Sequence, residues 1–333
     1  MNVLIIGGTG LISTGIVRIL GERGVGVTIL HRTPGGEQGA DTVLGDRDNV
    51  DDLRRALASG PYDAVIDMVC FHPEQARTAV QVFGGTVQHY VFCSTVDVYR
   101  KAVDVYPLTE DAPRDPSPTF RYAFAKAACE RVFEAAADSG AFSLTTIRPA
   151  ATYLDSAVAP LGSFQLNVER LRTGRPIILP GDGSSIWTAA HRDDVALAFA
   201  NALANPYARG QKYHVAGAEL LTWNSYWRIL SRAAGVERPH FTHIPTEVLA
   251  RLAPTRSKWC VENFQFDNIF DTSAAARDLG FTATIGWREA VSRFTFTFDT
   301  PVDSGLSRDI DAILADWDAM LAAAPAHSPD TTR

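Results

Sequence analysis

Short apolar runs alternate with amphipathic stretches through the first half of this chain, the sequence form of βαβ units on a parallel sheet. Apolar runs predict strands over 2–6, 26–31, 42–44, 64–68, 90–93 and 143–147, with a late one over 212–215. Helical periodicity fills the intervals, at 15–22, 50–58, 75–82 and 123–137. After Ile147 the pattern changes. Prolines and glycines cluster between Pro149 and Gly183, and short strands then mix with helices. The reading is a Rossmann-type doubly wound parallel sheet with a smaller α+β region. Residues 1–155 form the sheet domain, to which 188–216 return. Residues 156–187 and 217–321 form a substrate-binding region, and the small, polar tail 322–333 reads as disordered.

Val3-Leu4-Ile5-Ile6 runs directly into Gly7-Gly8-Thr9-Gly10-Leu11-Ile12-Ser13. Glycines after a buried strand permit a tight turn at Gly7, and Gly10 lets the backbone approach a pyrophosphate. The following helix aims the free N–H groups of Leu11 and Ile12, and its dipole, at that anion. Between a strand and an amphipathic helix the motif is far more specific than a lone glycine cluster, whose alternative is a structural turn. The spacing is Gly-x-x-Gly-x-x-Ser, so Ser13 stands where the last glycine of the fingerprint allows close packing. At the end of the second strand an NAD enzyme carries an acid for the ribose hydroxyls, but this chain has His31-Arg32. A guanidinium binds a 2′-phosphate through two hydrogen bonds, whereas a carboxylate repels it. NADP is therefore the expected cofactor, with NAD the alternative, unless Arg32 is a solvated loop residue. Gly45-Asp46-Arg47 follows the third strand; Asp46 there accepts from the adenine amino group or caps a helix, and Arg47 joins the cofactor set.

Composition excludes other classes. The 333 residues, 46% hydrophobic and 21% charged, suit an ordinary globular protein, and the net charge of −7 offers no footprint for nucleic acid. No apolar run is long enough for a membrane span, and a strand beginning at Asn2 leaves no room for a signal peptide. Cys70, Cys93, Cys129 and Cys260 are far apart in sequence and form no CxxC pair, which argues against a zinc or disulfide framework. A cytoplasmic enzyme without a metal is the expectation.

Tyr122-Ala-Phe-Ala-Lys126 sets tyrosine and lysine on one face of a helix. A nearby ammonium stabilises phenolate, so Lys126 is expected to lower the pKa of Tyr122, which then exchanges a proton with a substrate hydroxyl. The pair follows the strand Tyr90–Cys93, beyond whose carboxyl end Thr95 offers a second hydrogen bond to the same oxygen or caps a turn. The segments GGTGLIS at 7–13, GDRDN at 45–49, YVFCSTVDVY at 90–99, YAFAKAACE at 122–130, TIRPA at 146–150 and HRDDVALAF at 191–199 are collinear. Through them the chain resembles the extended short-chain dehydrogenase/reductases, the NAD(P)-dependent sugar epimerase/dehydratase family, over its first two-thirds. The resemblance implies catalytic roles for Thr95, Tyr122 and Lys126, with Lys126 also holding the nicotinamide ribose. It implies a homodimer built on the helix of Tyr122 and Lys126.

Two positions depart from that pattern. Trp187 stands four residues before His191, where epimerases of nucleotide sugars often carry a diphosphate-binding arginine. An indole stacks on a sugar or base but neutralises no charge, so a sugar-like small molecule replaces a nucleotide sugar as the expected substrate, unless Trp187 is only packing. Asp97 stands where resembling dehydratases carry a glutamate, and serves as a second acid or base or as a loop cap. Arg256 and Lys258 are the candidate anion-binding side chains of the substrate region, or a solvated surface. His72, after the fourth strand with Cys70, is a spare acid/base candidate; His240 and His243 have no third metal ligand, and His191-Arg192-Asp193-Asp194 opens a helix. The activity expected is an NAD(P)-dependent epimerase or dehydratase working through a transient ketone. A NADPH-dependent ketoreductase is the alternative, and a non-catalytic NADP-binding sensor or scaffold comes from another class.

Overall fold

Val3 and Ile5 point to one face of the first strand and Leu4 and Ile6 to the other, and all four are fully buried. Side chains of a strand alternate between faces, so a run apolar at every position demands cover on both sides. The computed structural model describes residues 1–323 apart from Pro34, Gln38, Asp299, Thr300 and Val302. Its central sheet contains β1 (Asn2–Ile6), β2 (Gly26–His31), β3 (Asp41–Leu44), β4 (Ala64–Asp67), β5 (His89–Cys93), β6 (Ser143–Pro149) and a seventh strand, Lys212–Val215. The order is Lys212–Val215, β6, β5, β4, β1, β2, β3, with every pairing parallel. β1 lies at the switch in strand order, where an open α/β sheet forms its ligand crevice.

One face is covered by α1 (Leu11–Glu22) and α6 (Arg192–Leu203), whose Ile16, Leu20, Val195 and Phe199 pack on Val3, Ile5 and Ile29. The other carries α2 (Val50–Ala58), α3 (Pro73–Phe83) and α4 (Arg121–Asp138), with Leu53, Phe83, Cys129 and Phe133 against Leu4, Ile6 and Tyr90. Each such aliphatic or aromatic side chain contributes about 1.5–3 kcal/mol on burial. Asn49 caps α2 by accepting from the N–H groups of Asp51 and Asp52. α3 begins two residues before its apolar period because Pro73 is tolerated at a first helical position. β6 outlasts its apolar run. Arg148 is fully buried in it and bonds Glu130 through both Nε (2.9 Å) and Nη2 (2.7 Å).

The sheet unit comprises Met1–Ser156, Ile186–Leu221 and Phe266–Phe294. The last segment differs from the sequence reading, which gave all of 217–321 to the substrate region. Asp194 on α6 holds it there, accepting from the N–H groups of Thr284 (3.0 Å) and Ile285 (3.1 Å) and from the Thr284 hydroxyl (2.6 Å). The second unit comprises Ala157–Ser185, Thr222–Gln265 and the chain from Thr295. It contains α5 (Phe164–Arg172), the parallel strands Ile177–Pro180 and Phe241–Ile244, α7 (Trp223–Ala233) and the C-terminal helix Ser304–Ala323. Arg170 of α5 ties that helix down through Asp311 at 2.9 Å. Ala322 and Ala323 end the helix rather than open a disordered tail; 324–333 lie outside the described residues. No helix among the described residues is long and apolar enough to cross a membrane.

Candidate active site

Gly7 closes β1 with φ +84°, a left-handed conformation that favours glycine, and a Cβ there would stand 2.5 Å from Val69 Cγ1. Gly8 is equally confined, 2.4 Å from Ile29 Cγ2. Gly10 is different. Its φ is −81°, and a Cβ would meet nothing nearer than Ser13 Oγ at 3.4 Å. Gly10 is also the N-cap of α1, with no side chain capping the helix and no acid in its first turn, so the N–H groups of Leu11 and Ile12 head an uncapped helix. Ser13 donates to the Gly7 carbonyl at 2.7 Å and so braces the loop. Ser13 is buried against the end of β1, and Gly15 gives α1 a second close approach, where a Cβ would stand 2.9 Å from Ala196 of α6.

Arg32 is exposed beyond β2, with no ion pair among the described residues. His31 beside it is buried, and neither ring nitrogen has a hydrogen-bond partner among the described residues. Asp46 accepts the Asp48 N–H at 3.0 Å in a tight turn, and α2 takes its cap from Asn49 rather than from Asp46. Arg47, expected to face the cofactor, is buried and gives Nη2 to Asp67 at 2.5 Å, leaving Nε and Nη1 unpartnered among the described residues. An open cradle at Gly10 and an uncapped helix start fit the pyrophosphate of a dinucleotide.

Past β5, Thr95 accepts the Asp97 N–H at 3.2 Å and caps the 3-10 turn Val96–Val98, while its hydroxyl donates to Asp97 Oδ2 at 3.1 Å. Tyr122, one residue into α4, is hydrogen-bonded to Thr95. Lys126, one turn further and 1% exposed, donates to the Cys93 carbonyl at 2.7 Å. Its amine lies 4.9 Å from the centroid of Phe92 and 4.7 Å from that of Phe71. The expected lowering of the Tyr122 pKa does not occur. Burial and then the Asp97 carboxylate push that phenol up, the Thr95 bond opposing them, while Lys126 is held against Cys93. Thr95, Asp97 and Tyr122 thus form one hydrogen-bonded group beside a fixed ammonium.

Trp187 is 5% exposed on the short strand Ile186–Trp187. In the second unit Arg256 is paired with Asp309, and Lys258 is exposed. His243 bonds Asn224 at 2.7 Å, and His191 caps α6 as expected, its Nδ1 accepting the Asp193 N–H at 3.2 Å. His72 is exposed at the head of α3, and the residue of that loop that reaches Lys126 is Phe71. Cys70 and Cys129, distant in sequence, come within 3.8 Å, and all four cysteines are free and buried. Sequence reasoning missed Lys101, which donates to Asn268 at 2.6 Å, because no local motif joins two residues 167 apart.

Fold and site define a Rossmann-type enzyme of the extended short-chain dehydrogenase/reductase type. The chain belongs to the NAD dependent epimerase/dehydratase family, whose sequence profile matches residues 3–216. It is similar to 2'-dehydrokanamycin reductase of Streptomyces kanamyceticus, 29% identical over 280 residues that span 81% of this chain and 77% of that protein. It is 27% identical over 258 residues to the chloroplast stem-loop binding protein of 41 kDa b of Arabidopsis thaliana, covering 73% of this chain and 65% of that one, just under two thirds of its length. UDP-glucose 4-epimerase of Thermotoga maritima shares the fold with a TM-score of 0.68, at 20% identity, over 88% of this chain and 96% of that one. dTDP-glucose 4,6-dehydratase of Bacillus anthracis does so with a TM-score of 0.71, at 16% identity, over 88% and 94%.

Proposed function

We propose that this chain is an NAD(P)-dependent epimerase or dehydratase acting on a sugar or sugar-like hydroxyl compound through a transient ketone. The observation that supports it is the hydrogen-bonded group of Thr95, Asp97 and Tyr122 one helical turn from Lys126. Bound nicotinamide supplies the acceptor and donor of hydride. The N–H groups of Leu11 and Ile12 would hold the pyrophosphate past Gly7 and Gly10, Arg32 would take the 2′-phosphate of NADP, and Asp46 with Arg47 would border the adenine. The two remaining donors of Lys126 hold the ribose. Tyr122 Oη exchanges the proton of the substrate hydroxyl, with Thr95 fixing the oxygen. Asp97 moves the second proton, the one on the carbon beside the ketone, which the carbonyl makes acidic. Trp187 replaces the arginine that would grip a diphosphate, so the substrate is a sugar or glycoside rather than a nucleotide sugar.

A NADPH-dependent ketoreductase is the second reading. One comparison favours it: the relative at 29% identity is named 2'-dehydrokanamycin reductase. Native mass spectrometry of the purified protein identifies the copurifying nucleotide. A panel of sugars, glycosides and their ketones is then followed by nicotinamide absorbance: a reductase consumes NADPH stoichiometrically, and an epimerase recycles it. Tyr122→Phe should lower turnover by about 10²–10⁴-fold with dinucleotide affinity unchanged. Unchanged turnover would remove Tyr122 from the reaction; no turnover of any compound by a protein that binds the dinucleotide would leave the non-catalytic sensor or scaffold as the better reading.

A further inference from the structure

A lysine that holds a ribose needs donors the ribose can reach, and those of Lys126 are closed off. The residue is 1% exposed. Of its three N–H donors one goes to the Cys93 carbonyl at 2.7 Å, its one acceptor among the described residues. The amine lies over two aromatic rings, 4.7 Å from the centroid of Phe71 and 4.9 Å from that of Phe92. A ring face attracts the cation but is a weaker acceptor than a hydroxyl oxygen. Two ribose hydroxyls reach the remaining donors only if one of these rings gives way.

The two rings differ in what holds them. Phe92 is fully buried on β5, its centroid 4.8 Å from that of Phe133 of α4. Phe71 is 41% exposed in the loop between β4 and α3. Its backbone is pinned there. The Phe71 N–H donates to Gln75 Oε1 at 2.6 Å, Gln75 donates to Asp48 Oδ1 at 2.5 Å, and Cys70 before it is fully buried. The ring is therefore the part that moves, by the rotamer change open to an exposed side chain. We propose that Phe71 is a positioning residue for Lys126: in the free protein its ring occupies the side of the ammonium that the ribose takes, and it turns outward when the dinucleotide enters. The role rests on the reading that Lys126 holds the nicotinamide ribose. Until then the ring helps shut the amine from water, and binding exchanges one cation–π contact for hydroxyl hydrogen bonds. The share of molecules with the ring inward lowers the apparent affinity for the dinucleotide.

The test places a single fluorophenylalanine at position 71 of the full chain and follows its fluorine resonance during titration with NADP and with NAD. The shift of that resonance between light and heavy water grows with exposure of the ring. It should increase on saturation, because the ring turns out; a ring that stays in place and is covered by the ligand gives a decrease. Phe71→Ala, checked for folding by circular dichroism, should bind the dinucleotide roughly 2–5-fold more tightly, the ratio set by the lost cation–π contact. An isotope shift that stays constant or falls, or Phe71→Ala binding no tighter than wild type, overturns the proposal while dinucleotide binding and its dependence on Lys126 stand. Wild-type affinity in Lys126→Met removes the reading of Lys126 as the ribose holder, and binding of neither dinucleotide removes the reading of the whole site. Either takes the proposal with it.

Discussion

Whether an arginine or an acid follows the second strand decides which dinucleotide a fold of this kind can hold, and Arg32 is exposed there without a competing ion pair among the described residues. A charge-assisted hydrogen bond contributes about 1.5–3 kcal/mol, so Arg32→Ala should weaken NADP binding by roughly 10–100-fold and NAD binding far less. Equal losses in calorimetric titrations would remove the preference for NADP. Other single residues were harder to read. The Tyr122–Lys126 spacing is local and visible in the chain, but the ionisation of Tyr122 is not, because it depends on Asp97 and on the Cys93 carbonyl that occupies Lys126. Arg47 was read as a cofactor residue from its place after β3; its ion pair with Asp67 at the end of β4 joins residues 20 apart whose strands are separated in the sheet by β1 and β2, so spacing gives no sign of it.

At the scale of elements, strands covered on both faces were legible because consecutive positions are apolar, as over Val3–Ile6 of β1 and Ala64–Ile66 of β4. β6 was read short because the charge of Arg148 hides the strand, and only the fold brings Glu130 to neutralise it. Ser13 was legible as a small residue but not as a brace for Gly7, and the packing glycine of α1 is one helical position pair away at Gly15. The helix α4 bears on the proposed homodimer. Phe124, 42% exposed between Tyr122 and Lys126 in sequence, is a large apolar side chain left on its outer surface. We infer that a second copy covers it, and Phe124→Glu should convert a dimer to monomer in sedimentation. A wild-type monomer at micromolar concentration would end that inference.

For the whole molecule, two buried histidines set the acid limit of stability. Burial brings His89 and His214 each down to about 4, with Arg148 adding to the effect at His214. Both are neutral in the fold and take up a proton near 6.5 once unfolded, so stability is full above pH 6.5 and is lost as pH falls toward 4. The loss should approach about 2 kcal/mol per histidine by pH 5, an upper bound. Urea unfolding at pH 7 and pH 5 measures it, and His89→Gln should remove about half of the difference; an undiminished difference would place its source elsewhere. The division of labour between units was only partly legible. Residues 266–294 read as part of the substrate region, and it took Asp194, about 90 residues away, to bind them to the sheet unit.

The loop after β1 separates two kinds of selection acting on neighbouring glycines. At Gly7 and Gly8 a side chain collides with Val69 or Ile29, so folding itself forbids it. At Gly10 the backbone suits any residue and the space is open, so a larger side chain costs the fold little and costs only the ligand. A library randomised at these three positions and sorted first for soluble, folded protein should therefore keep glycine at 7 and 8 and diversify at 10. Sorting the survivors on an immobilised dinucleotide should then restore glycine at 10. If the first sort already fixes Gly10, the open space is part of the scaffold and not of the binding site.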